Sequence, residues 1–126
     1  KLSRRLLEEL LRFSEVSQNA FDRKVASELL EHLMKLYPGT DVNLAHYFIE
    51  TTDQTLRNAS ERMLKGFPAM QAAFDVLRSG LTNPALHHRI TALLSSMQNC
   101  AAEAVRNATV VLNDSFQPVD TGRFGR

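Results

Sequence analysis

Tryptophan is missing from this chain, cysteine occurs once, at Cys100, and neither sign of charge prevails, with 15 Lys and Arg against 14 Asp and Glu. A single cysteine excludes an internal disulfide framework and any zinc site built on paired thiolates. The formal net charge of +1 excludes the one-signed field that draws a protein onto nucleic acid or an acidic surface. No stretch reaches the roughly 18 consecutive apolar residues of a membrane-spanning helix, so no membrane insertion is expected. Glycine (five) and proline (four) are scarce, and before residue 114 they stand at breaks in the apolar pattern: Pro38-Gly39, Gly66-Phe67-Pro68, Gly80 and Pro84. There is no Asn-Gly or Asp-Gly turn and no sustained apolar alternation, so strands are not expected. No signal-peptide pattern opens the chain. A sequence that starts at Lys1 reads as an excised or processed stretch, and its lone thiol tilts the expected compartment toward the cytoplasm.

What is present is helical periodicity. Leu6, Leu7, Leu10, Leu11, Phe13 and Val16 recur at helical spacing and predict a first helix over Ser3 to Val16. Ser17-Gln18-Asn19 offers N-caps for a second, marked by Phe21, Val25, Ala26, Leu29, Leu30, Leu33, Met34 and Leu36. Pro38-Gly39 ends it, with glycine taking the left-handed cap. Thr40 or Asp41 then caps a long third helix over about residues 41–65, whose Ala45, Ile49, Thr52, Leu56, Ala59 and Met63 alternate steps of four and three like a heptad seam. A shorter fourth helix carries Met70, Ala73, Phe74 and Leu77 and stops at Gly80. Asn83-Pro84 opens a long fifth over about residues 84–112, on the order of 43 Å if continuous. Its seam runs through Leu86, Ile90, Leu93, Met97, Cys100, Ala104, Ala108 and Val111. The expectation is an all-α bundle of about five helices, one domain over residues 1–113, followed by an extended C-terminal tail over residues 114–126.

Charge is unevenly spread. Residues 1–65 hold 20 of the 29 charged side chains and residues 66–112 only five, with none from Ile90 to Ala102. A helix so poor in charge is covered on more than one face. Either the fifth helix is the central rod of the bundle, or its outer side meets a partner. His88, Ser95, Asn99 and Arg106 mark a polar stripe that faces water in both cases.

Residues with chemical potential are few. Glu28 with His32, and His46 with Glu50, are i, i+4 pairs that share a helix face, and antiparallel packing of the two helices would gather four metal-ligating side chains. His87-His88 project about 100° apart and do not form a two-ligand site alone. No phosphate loop, nucleophile elbow or HExxH helix occurs. No catalytic residue, cofactor or metal ligand is therefore nominated. Lys1, Arg4, Arg5 and Arg12 are interleaved with Glu8, Glu9 and Glu15, which reads as a salt-bridged surface rather than a nucleic-acid arm. Three Asn-x-Ser/Thr sequons occur, at Asn58, Asn107 and Asn113, of which Asn107 is expected to be hidden by its seam.

Together these features predict a non-enzymatic helical domain for protein–protein interaction, assembly or self-association. Its charge-poor surface would carry Met70, Phe74, Leu77, Leu94, Met97 and Val105 as candidate anchors. A ligand- or metal-binding bundle and a glycosylated extracellular domain are the two alternatives.

Overall fold

The computed structural model describes residues 2–116, except for the side chains of residues 114–116. Among the described residues the chain is all-α: α1 (Arg4–Val16), α2 (Ala20–Leu36), α3 (Thr40–Glu50), α4 (Gln54–Lys65), α5 (Gln71–Ser79) and α6 (His87–Phe116). The caps follow local chemistry. Ser3 Oγ accepts the Leu6 N–H at 3.4 Å and Asn19 Oδ1 accepts the Phe21 N–H at 2.8 Å, closing the starts of α1 and α2. Gly39, at φ 97°, makes the left-handed turn between α2 and α3 that a side chain would oppose.

The helix expected over residues 41–65 is two helices. Asp53 breaks it: its carboxylate accepts the N–H groups of Thr55 at 2.9 Å and Leu56 at 3.3 Å and so starts α4. Thr51 Oγ1 accepts the Asp53 N–H at 3.0 Å. Arg57 reaches back from α4 to donate to the Phe48 carbonyl at 2.8 Å and to the Thr51 carbonyl, satisfying the end of α3. The apparent heptad seam is thus two short faces placed end to end, and Thr52 is exposed at the corner.

Asp41 also departs from expectation. It sits in the first turn of α3 without capping it, is buried, and accepts the Met70 N–H at 2.7 Å, tying the start of α5 to the start of α3. The fifth predicted helix starts three residues late. Asn83 accepts the Leu86 and Ala85 N–H groups, from its carbonyl and side chain respectively, so Pro84–Leu86 form a turn that leads into α6. At its other end α6 continues through Phe116, three residues into the predicted tail. The rest of that tail, residues 117–126, lies outside the described residues.

α4 is the central element, packing against α1, α2, α3 and α6. α1 and α2 form a hairpin on one side of the α3–α4 pair. α5 lies on α3, and α6 packs on α4 and α5 on the other side. The expectation of α6 as central rod is therefore overturned. Leu7, Leu11, Leu30, Leu44, Phe48, Leu64, Leu77, Ile90, Leu93 and Met97 are fully enclosed. Gly80 is a close approach: a Cβ there would lie 2.9 Å from Ile90 Cδ1 and 3.1 Å from Ile49 Cδ1, so those side-chain ends would have to shift.

Arginines join the layers. Arg62 of α4 donates to Ser14 Oγ at 2.8 Å, Ser27 Oγ at 2.9 Å and Glu15 at 3.2 Å, spanning α1 and α2. Arg89 of α6 donates to Glu61 at 2.8 Å and Asn58 at 3.0 Å, with its guanidinium 5.2 Å from the Phe48 ring centre.

Candidate docking surface

The six anchors nominated from sequence do not form one surface. Phe74, Leu77 and Met97 are buried in the core, and Leu94 is half-buried against it. Arg78 lies 5.9 Å from the Phe74 ring centre, over the remaining edge of that side chain. Met70 and Val105 are exposed on different elements, one at the N-cap of α5 and the other far along α6. A shallow cleft of about 290 Å³ between α5 and α6, lined by Ala69, Gln71, Phe74, Arg78, Gln98 and Ala101, is what remains of the expected face.

The α6 seam is buried only through Met97. Cys100 and Ala104 are half-buried, whereas Asn107 and Ala108 are exposed, which corrects the expectation that packing hides Asn107. The reason is length. α6 has 30 residues, whereas its neighbours α4 and α5 have 12 and 9, so at about 1.5 Å per residue α6 outruns both. Asn58 and Asn113 are exposed as expected, and so are His88, Ser95, Asn99 and Arg106.

The two Glu–His pairs stay apart. α2 packs chiefly on α1, and both Glu28 and His32 are exposed. On α3, His46 Nδ1 pairs with Glu50 at 3.1 Å. Among the described residues no cluster of three or more His, Cys, Asp or Glu converges as a metal site would require.

His46, Tyr47 and Glu50 line an open groove of about 620 Å³ with Leu2, Ser3, Arg4 and Asn43. Burial, reinforced by the Glu8 charge, pushes the Tyr47 hydroxyl above its ordinary value of 10.0, so it stays protonated at neutral pH. Arg4 lies 5.5 Å from that ring centre. Two basic residues of α1 are paired as expected, Arg4 with Glu8 at 2.8 Å and Arg12 with Glu8 and Glu9, and Arg12 also reaches Asp53 at 2.9 Å; Arg5 is exposed. The Arg12 hydrogen bond, then the Leu56 and Thr55 N–H groups, hold the Asp53 carboxyl below its ordinary 3.8.

Apart from Val105, Val110, Val111 and Leu112 at the far end of α6, the exposed large apolar side chains gather on the charge-rich half, with Met70 the exception. On α2, successive side chains turn by about 100°, so Phe21, Val25, Leu29, Leu33 and Leu36 share an arc of about 120° next to the buried arc of Ala26, Leu30 and Met34. Phe21 is 69% and Leu36 71% exposed, with Val25 and Leu29 nearly half exposed. On α1, Leu6 and Phe13 are nearly half exposed beside half-buried Leu10. Arg62 marks the side of the hairpin that faces α4, because it grips Glu15 of α1 and Ser27 of α2. Leu6 and Phe13 lie about half a turn from Glu15 and about a quarter turn from Ser14, which Arg62 also grips, and Val25 and Leu29 lie about half a turn from Ser27. Both stripes therefore look away from α4 and form one face, two helices wide. Sequence reading took these residues only as marks of the helical period. The signal for an open face was the spread of large apolar residues on α2 over about 220°, interrupted by His32, Asp22 and Arg23, more than one neighbouring hairpin arm can cover.

No protein family, curated protein or solved structure matches this chain.

Proposed function

We propose that this chain is a non-enzymatic helical protein-interaction domain whose working face is the outer side of the α1–α2 hairpin, rather than the α5–α6 surface. The observation that supports the reading is the six side chains Leu6, Phe13, Phe21, Val25, Leu29 and Leu36, all on that side and each with close to half or more of its surface open. Folded monomers rarely keep so large a contiguous apolar patch in water, and such patches mark association surfaces. A helical face of this kind takes an apolar helix surface, through anchors at i, i+3 and i+4.

The test uses the fold itself. A face that serves docking is dispensable for folding, so Val25→Lys and Leu29→Glu should leave the helical circular dichroism unchanged and shift unfolding free energy by less than about 0.5 kcal/mol, the range of ordinary surface changes. Urea unfolding of the dilute protein measures this. A loss above about 2 kcal/mol would place the two side chains among the supports of the fold and end the docking reading.

A further inference from the structure

We infer that the occupant of this face is a second copy of the same chain, so that two α1–α2 hairpins pack face to face as a four-helix arrangement with two-fold symmetry. This inference rests on the docking reading above and adds the identity of the partner.

Two observations select the occupant. The first is size. The open side chains of the face present on the order of 600 Å² of apolar surface per copy. A stable interface takes about 800 Å² per partner with its polar rim included, so a copy of the same face supplies the matching area. With 13 residues in α1 and 17 in α2, the hairpin presents its face as two roughly parallel ridges. Two such faces related by a two-fold axis place α1 of one copy against α2 of the other, running antiparallel, which is the neighbour geometry of four-helix bundles.

The second is charge. Arg5 and Glu9 border the face on α1, and Lys24, Glu28, Glu31 and Lys35 border it on α2, all exposed, while half-buried Asp22 and exposed His32 fall within the α2 arc itself. Three positive and four negative groups, interspersed, give the face no strong field of one sign against a copy of itself. They also lack the cationic excess that holds an amphipathic surface on anionic lipid. A strongly charged peptide would find no complementary field there. A balanced rim around an apolar centre is what an isologous interface needs, because each group meets the same set of groups on the other copy.

The experiment is sedimentation equilibrium of the full 126-residue chain over a wide range of concentration. The wild-type protein should approach twice its 14.2 kDa mass. Leu29→Glu and Phe21→Glu should each weaken self-association on the order of a hundredfold, because the new carboxylate would be buried unpaired in the dimer and solvated in the monomer. Both residues are exposed in the single chain, and circular dichroism of each variant checks that its helices are retained. Asn99→Glu, on the polar stripe of α6, should leave the dimer intact. A wild-type chain that stays monomeric, a dimer that survives both substitutions, or monomeric protein that binds phosphatidylserine vesicles through this face would each overturn the inference. The docking reading fails separately, on the unfolding measurement given above: neutral stability in Val25→Lys and Leu29→Glu together with a monomeric wild type would remove the second copy and keep the face.

Discussion

The α1–α2 hairpin is densely charged and leaves an apolar side open, while the α5–α6 pair carries little charge, encloses Phe74, Leu77, Ile90, Leu93 and Met97, and exposes Val105, Val110, Val111 and Leu112 only at the far end of α6. The contrast shows that charge density along a chain does not report which surface is left uncovered. On α2 the charges Lys24, Glu28, Glu31 and Lys35 fall in one narrow arc, and the rest of the surface, interrupted by Asp22, Arg23 and His32, carries more large apolar side chains than α1 and α4 cover. On α6 the apolar residues Leu93 and Met97 are buried in the core, and up to Ala104 the charge-poor outer surface is filled with Ser, Thr, Asn, Gln and Ala, with exposed Val105, Val110, Val111 and Leu112 beyond it. Polar neutral residues satisfy water as well as charged ones do, so a charge deficit overstates how apolar a helix is.

Substitutions can break or sharpen this contrast. The largest effect is expected where the two halves meet the centre: Leu56→Ala and Leu93→Ala should each cost about 2–5 kcal/mol in urea unfolding, since both are buried, whereas Leu29→Ala on the open face should cost less than about 1 kcal/mol. Equal losses at Leu29 and Leu93 would erase the distinction between the regions.

Asp41→Ala should come next, at about 1–3 kcal/mol, because it orphans the Met70 N–H and unties the start of α5; no change in unfolding would mean that this bond is replaced by water. Gly80→Ala should cost about 1 kcal/mol, since the added Cβ crowds the ends of Ile49 and Ile90. A smaller loss in the melting temperature would show that those side-chain ends move aside.

Acid should weaken the hairpin's attachment at Asp53, which Arg12 of α1 grips. Asp53 has a depressed carboxyl pKa, so its contribution is fully present above the ordinary 3.8 and is lost as pH falls through the lower folded-state value. In Asp53→Asn the wild-type loss of stability below about pH 4 should be reduced, and unfolding curves along that pH range measure it. The smallest effect is expected at the far end of α6. Val105→Ala and Val110→Ala should leave thermal unfolding almost unchanged, since both side chains are exposed; a large drop would give that segment a packing role.

Much of this architecture was legible in the sequence. Pro38-Gly39, Gly80 and Asn83-Pro84 punctuate the helices because their backbone restrictions are local, and the apolar periods of α1, α2, α5 and α6 mark real helices. The corner at Thr51–Asp53 was missed because Asp53 offers a cap that competes with helix continuation, and the choice is made by Arg12 and Arg57 pairing from outside the corner. The candidate face was legible only as excess width in an apolar arc.

Sequence alone determined that the chain is helical, where most helices start and stop, and that the large apolar residues of α2 spread over more than half of its circumference. These depend on φ and ψ preferences, capping groups and a period of 3.6, all set within a few residues. Tertiary structure alone decided which part of each apolar arc is covered, that α4 rather than α6 is central, and that α6 outruns its neighbours. Those outcomes depend on helices far apart in sequence, on Arg62 reaching Ser14 and Arg89 reaching Glu61, and burial is a property of the neighbour as much as of the residue.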